Sequence, residues 1–225
     1  MTIPKPWSPT ALDDFKNCPY KYHHKYVLKD IPKPPPTAEM TWGIRVHKDF
    51  EDRLAVGKPL PLDLRPHEPF MQQLQDMPGI LTTEEKIAMN QNLEACGTWD
   101  PKVFFRGAID VKIVDGHRAM IVDHKTGKPH NKPHQLALYG LWTFALFPQV
   151  TKVMCAYYWT KTLTATPLVY KRDQIDEMWG LFLPDLKQYK EAFAKDIWQK
   201  RPSGLCKGYC EITLCEHCGP KPKGR

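Results

Sequence analysis

The chain has 225 residues, 42% of them hydrophobic and 25% charged, enough for a real core and ordinary for a globular protein. Its net charge of +7 and pI near 9.0 favour an anionic partner, with nucleic acid the commonest choice. No apolar run reaches the roughly 20 residues that span a bilayer, and Met1 to Trp7 lacks the apolar core of a signal peptide, so the expected location is the cytoplasm. Ser8 to Val27 predicts a helix, with Ser8 as N-cap, Pro9 in the first turn and an interruption at Pro19. The proline-rich stretch 31–36 is a linker, and a second helix is predicted from Thr37 to Ala55. A loop then runs to about Arg65, and Thr83 to Cys96 predicts a third helix.

The strongest β signal lies in Val103 to Val114 and Arg118 to Lys125, which flank Asp115-Gly116, a two-residue hairpin signature. With that turn, Asp110 faces Ile121. One face then carries Ile109, Val111, Ile113, Met120 and Val122, and the other carries Asp110, Lys112, Asp123 and Lys125 around Ile121. Pro133 to Phe147 predicts a helix, Val150 to Thr160 and Thr164 to Lys171 two more strands, and Asp173 to Trp198 a helix bent at Pro184. The fold class expected is α/β: a mixed central sheet of four or five strands flanked by helices.

Strand alternation points Asp123 and Lys125 to one side. On the expected register Asp110 is the diagonal neighbour of Asp123, roughly 7 Å away at the backbone. Two carboxylates so placed can share one Mg²⁺, and a lysine beside them can orient water and stabilise charge on a phosphate. Asp-X-Lys alone is common on solvated sheet faces, so other residues must raise its weight. Gly43, His47 and Glu51 stack at i, i+4, i+8 along one helical stripe, offering close approach, an imidazole and an acceptor. Gln135 and Tyr139 are one helical turn apart. Each also fits an ordinary amphipathic helix.

Taken in order, these residues resemble the RecB-like exonuclease branch of the PD-(D/E)XK nuclease superfamily. That branch shows a first helix matched by Ser8, Leu12, Phe15, Cys18, Pro19 and Tyr22, then a helix matched by Gly43, His47 and Glu51. A strand ending in Asp follows, here Arg106-Gly-Ala-Ile-Asp110. Last come Val122-Asp-His-Lys-Thr-Gly127 and the pair Gln135 and Tyr139. Look-alikes include phage-encoded and CRISPR-associated members of that branch. The resemblance implies that His47, Asp110, Asp123 and the backbone carbonyl of His124 hold Mg²⁺ or Mn²⁺, and that Lys125 positions the attacking water. It implies that Gln135 and Tyr139 orient the lysine or the DNA strand, with Glu51 as a further polar group. The implied activity is hydrolysis of phosphodiester bonds by a DNA exonuclease acting on single strands or duplex ends, in recombination or processing, with a protein partner in that pathway. The competing expectation is a silent DNA- or protein-binding module on the same fold. Arg106, beside the active face, is the expected phosphate contact.

Four of the seven cysteines crowd the end of the chain: Cys206, Cys210, Cys215 and Cys218. Their spacing reads as a metal site, with a four-thiolate Zn²⁺ as one possibility. The resemblance implies another: Cys18 of the first helix joining Cys206, Cys210 and Cys215 around a [4Fe-4S] cluster. Cys96 and Cys155 lie in apolar contexts and read as buried residues. The expected domains are 1–200, the nuclease, and 201–225, a tail that closes the cluster against the first helix. Most of the tryptophans, Trp42, Trp99, Trp142, Trp159, Trp179 and Trp198, occupy positions able to face a core, and which of them stack on bases is not readable from the sequence.

Overall fold

A computed structural model describes residues 4–32, 35–92, 94–130 and 133–220. The chain divides into two compact units, one formed by residues 36–181 and the other by 1–35 with 182–225.

The first of these units is built on a five-stranded sheet in the order β1-β2-β3-β4-β5. Its strands are β1 (Ile80–Asn90), β2 (Val103–Asp115), β3 (Arg118–Lys125), β4 (Lys152–Trp159) and β5 (Thr164–Lys171). All neighbours are antiparallel except β3 and β4, which are parallel. A parallel pair needs a crossover, and α5 (His134–Leu146) supplies it. Numbering the helices along the whole chain, α3 (Ala38–Val56) and α4 (Glu68–Gln75) cover one face of the sheet. There Val46, Phe50, Leu54, Met71 and Leu74 pack on Val111, Ile113, Val122 and Tyr158. On the other face α5 is apolar nearly all round, with Leu136 to Phe144 buried. The mixed sheet with helices on both faces agrees with the expected fold class.

Thr37 caps α3, accepting from the Met40 N–H, and the helix stops at Gly57, which takes a left-handed φ of 72°. α4 was not anticipated. Its short amphipathic stretch follows a 3₁₀ turn over Leu62–His67 and buries Met71 and Leu74. Gly140 of α5 is required by packing: a Cβ there would lie 2.9 Å from the Met178 side chain of α6 (Ile175–Gly180).

Two sequence expectations are corrected. Thr83 to Cys96, predicted as a helix, is mostly strand β1, paired along its length with β2. Glu84, Glu85, Lys86, Ala88 and Met89 favour helix locally, but the β2 edge offers a continuous ladder and burial for Ile87, Ala88 and Met89. The hairpin register is also displaced by two residues. Asp115 pairs with Arg118, so the loop is Gly116-His117, with Gly116 at φ 52°. His117 is pinned there, its carbonyl accepting from Thr151 N–H at 2.9 Å and its Nδ1 lying 2.8 Å from the Gln149 carbonyl. A slip of two keeps every side chain on its expected face.

In the other unit, α1 (Pro9–Asn17) is capped by Ser8 as predicted, and α2 (Pro19–Tyr22) runs into a π-helical turn over His23–Leu28. Cys18 between them is extended, with Pro19 opening the second helix. α7 (Leu183–Lys195) packs on this segment. The Tyr22 and Tyr189 hydroxyls meet at 2.7 Å, and Tyr189 donates to the Lys5 carbonyl at 2.7 Å. The tail closes on itself through Gly208 N–H to Gly219 O at 2.6 Å and Gly219 N–H to Cys206 O at 3.2 Å. The helix predicted from Asp173 to Trp198 is divided between the two units, as α6 and α7, with Pro184 in the first turn of α7. Part of the proline linker, residues 33 and 34, lies outside the described residues.

Candidate active site

The site gathers where β2 and β3 part. Their ladder is continuous from Asp115↔Arg118 to Val111↔Val122, so the next positions across the hairpin are Asp110 and Asp123. Asp110 turns onto the β3 backbone, where its Oδ2 accepts the His124 N–H at 2.6 Å. From α3, His47 places Nδ1 3.3 Å from the same oxygen. His47, Asp110 and His124 each offer one ligand atom, and these lie within 4.8 Å of one another. Asp123 lies outside that triplet. Its Oδ1 accepts from Gln135 Nε2 at 3.0 Å and from the Tyr139 hydroxyl at 3.2 Å, and its Oδ2 faces Lys125 Nζ at 2.5 Å. Lys125 in turn donates to Gln135 Oε1 at 2.8 Å, and Gln135 Nε2 to the Tyr139 hydroxyl at 2.7 Å. Gln135 thus bridges lysine, aspartate and tyrosine, which its amide can do because it carries both donor and acceptor.

Why α3 can approach so closely is visible at Gly43. A Cβ there would come 3.1 Å from Thr126 Oγ1, in the segment just after Lys125. The small residue four before His47 therefore lets the helix lie against the end of β3, as the Gly-X-X-X-His spacing suggested.

The electrostatics follow from burial and neighbours. Burial resists the charged form of His47, but Asp110 and Glu84 beside it overcome that and hold its pKa up to about 10. Burial likewise opposes ionisation of Asp110, while His47 and His124 together keep it below the usual carboxylate range. Asp123 is pushed up to about 6, first by burial and then by the Asp110 charge, against the pull of Lys125. Burial drives the His124 imidazole down to about 4. Its ring packs edge-on to Phe50 at 4.9 Å, and its Nε2 has no hydrogen-bond partner.

Not every expected residue joins this centre. Glu51 lines the same groove as His47, Gly43 and Thr126, but its carboxylate is taken by Lys48 at 3.0 Å. Arg106 lies four residues upstream on β2 and stacks on Trp99. Two residues were missed by sequence reading. Glu84 stands opposite Asp110 on β1, with Oε1 3.9 Å from His47 Nδ1; reading its segment as helix hid that pairing. The His124 imbalance between backbone and side chain was the other: the expectation used only its carbonyl, whereas its ring nitrogen and its N–H both approach Asp110.

In the other unit, Cys18, Cys206, Cys210 and Cys215 line one cavity of about 290 Å³ together with Tyr20, Lys21 and Lys200. Cys218 is not among its lining residues, and its Sγ lies 3.4 Å from the Cys210 carbonyl. Cys155 is buried as expected, whereas Cys96 is half-buried.

A family model described as the PD-(D/E)XK nuclease superfamily matches residues 6–79 and 65–218. No curated protein matches the sequence at a significant level. Among solved structures, a protein from Eubacterium rectale provisionally named an exonuclease is similar, with a TM-score of 0.56, 13% identity, and coverage of 98% of this chain and 90% of that one. The protein SSO0001 matches with a TM-score of 0.45, 14% identity, and coverage of 96% and 89%.

Proposed function

From the premise that the chain belongs to the PD-(D/E)XK nuclease superfamily, we propose that it is a Mg²⁺- or Mn²⁺-dependent DNA exonuclease that hydrolyses phosphodiester bonds at single strands or duplex ends. The observation that carries this reading is the pairing of His47 with Asp110, and of Lys125 with Asp123, where the β2–β3 ladder ends. A carboxylate oxygen of Asp110 with ring nitrogens of His47 and His124, all within 4.8 Å of one another, fits a small divalent ion. His47, Asp110, Asp123 and the carbonyl of His124 would hold it. Such an ion supplies Lewis-acid polarisation of a phosphoryl oxygen and lowers the pKa of water.

The chain's own residues do the rest. Lys125 is fixed between Asp123 and Gln135, so its ammonium is already oriented and can hold a water or a phosphate oxygen without reorganising. Gln135 and Tyr139 anchor Asp123 Oδ1 and so set the direction of Oδ2. His47 must give up its proton to act as a ligand, which couples metal affinity to pH.

The cysteine cavity supports a [4Fe-4S] cluster on Cys18, Cys206, Cys210 and Cys215. Four thiolates on one Zn²⁺ at about 2.3 Å would sit roughly 3.8 Å apart. Among the described residues no three thiols lie within 4.8 Å of one another, yet four border one cavity. A polynuclear cluster bridges such spacing. Its role would be to tie together the two chain segments of that unit.

The test of the nuclease reading is digestion of end-labelled DNA with Mg²⁺ and with Mn²⁺. Asp123→Ala and Lys125→Ala are each expected to abolish cleavage in folded protein. Full activity in both, or none in the wild type with either metal, would overturn it.

A further inference from the structure

We propose that Trp99 and Arg106 form a base-stacking platform for single-stranded DNA, placed upstream of the metal-binding residues on the same strand. The inference rests on the nuclease reading for its substrate and deepens it by naming where a base is held.

The loop from β1 to β2 is built to present this tryptophan. Met89 bridges Ala95, and Cys96 N–H returns to the Ala88 carbonyl at 3.1 Å. A tight turn then follows, with Asp100 N–H bonded to Gly97 O at 3.0 Å and Trp99 at its apex. The Asp100 side chain accepts from Lys102 N–H at 2.7 Å and its carbonyl from Val103 N–H at 3.0 Å, fixing the turn to the start of β2. Trp99 is nevertheless 83% exposed. The turn thus fixes the backbone that carries Trp99, while most of its side chain faces solvent.

Arg106 closes one side of the ring, with Cζ 5.0 Å from the indole centroid. Its Nε is buried without a hydrogen-bond partner, and among the described residues no carboxylate forms an ion pair with the guanidinium. An aromatic face with a cation that has no anion partner is the pairing that binds a nucleotide: the base stacks, and the guanidinium takes the phosphate.

The position on the sheet gives direction. Arg106 and Asp110 are four residues apart on one continuous strand, so they project to the same face about 13 Å apart. Lys86, paired with Ala108, lies between them on the neighbouring strand and is exposed. The path from Asp110 to Trp99 is thus lined by two cations and ends on an open aromatic ring. The stretch from Asp110 to Arg106 alone corresponds to about four nucleotides at the close stacked spacing of about 3.4 Å per nucleotide.

The experiment is fluorescence anisotropy of the full chain in EDTA, with labelled oligothymidylate of about 12 nucleotides, within the span of a single-stranded groove. A matched abasic oligomer carries the charges without bases. Trp99→Ala is expected to weaken oligothymidylate about tenfold, Trp99→Phe to restore it to within about threefold, and the abasic oligomer to bind wild type and Trp99→Ala alike. Arg106→Ala should lower the slope of log affinity against log salt by about 0.7. Thermal melting checks that each variant folds. Wild-type affinity in Trp99→Ala, or equal losses on both oligomers, overturns the platform and turns Trp99 over to a protein partner. If wild type cleaves DNA with Mn²⁺ and Trp99→Ala binds normally, the platform alone fails. If the stacking loss is seen but wild type never cleaves, the nuclease reading alone fails.

Discussion

Glu84 sits opposite Asp110 across the β1–β2 ladder, between the pairs Thr83↔Val111 and Glu85↔Ile109, and does so with a left-handed φ of 49°. A glutamate in that conformation inside a strand costs roughly 1–3 kcal/mol, and such strain persists where the surroundings impose it. Here the strained backbone aims a carboxylate at His47. Glu84→Gly should therefore raise stability by about 1 kcal/mol, because glycine accepts positive φ, although its own entropy cost offsets part of the relief. The same change removes one of the two carboxylates that orient His47, so cleavage should fall roughly tenfold or more. Denaturant melts of Glu84→Gly beside initial rates check both; a variant that is less stable, or that gains in both properties, contradicts the account.

Two groups at the site respond to pH in opposite senses. Asp123 titrates near 6 in the folded chain against 3.8 as a free side chain. Between those values the folded state binds more protons than the unfolded one, so this group's contribution to stability declines as pH rises. His124 titrates near 4 when folded against 6.5 free. Over that window the folded state binds fewer protons, and stability climbs with pH. The two trends offset each other in the wild type. In metal-free protein, Asp123→Asn should then lose melting temperature more steeply than wild type between pH 6.5 and pH 4, and His124→Phe should lose less than wild type or gain. Melting curves in EDTA across that range decide it, and identical slopes in all three proteins would refute the offset.

Much of this site could be read in the sequence because strand alternation is insensitive to a register slip of two. The expected turn at Asp115-Gly116 was displaced to Gly116-His117, yet the paired residues from Val111↔Val122 to Asp115↔Arg118 kept their expected alternation. Helix α5 was legible for another reason: thirteen residues without a proline, framed by Pro133 and Pro148. What stayed hidden depended on partners distant in sequence. Thr83 to Met89 has helix-favouring residues, and only the free edge of β2 makes it a strand. The exposure of Trp99 depends on the turn that lifts it, which apolar content alone does not reveal.

Gly43 offers a test of how α3 is seated. An added methyl would favour the helix by up to about 1 kcal/mol, but it would also press on Thr126 Oγ1 at 3.1 Å. Gly43→Ala is expected to leave stability within about 1 kcal/mol of wild type, since a threonine side chain can move by a few tenths of an ångström. Gly43→Leu cannot be accommodated so easily. It should displace the end of β3 from His47 and lower cleavage by about 100-fold. Paired measurements of melting and rate test this, and full activity in Gly43→Leu would show that the close approach is dispensable.

The cysteines separate by position. Cys206 borders the cavity shared with Cys18, Cys210 and Cys215, whereas Cys218 does not line it and points its thiol at the Cys210 carbonyl. Protein purified without oxygen should absorb at roughly 400 nm as iron–sulfur centres do. Cys206→Ser should remove that band and cost several kcal/mol, because a structural metal centre is bound mainly by the folded state. Cys218→Ser should keep both the band and the stability to within about 1 kcal/mol. Because the cavity lies among residues of the unit without the sheet, Cys206→Ser should act on stability before it acts on chemistry. Zinc in the wild type with no such band would replace the cluster by a mononuclear site. A stable, metal-free Cys206→Ser protein would remove the structural role altogether.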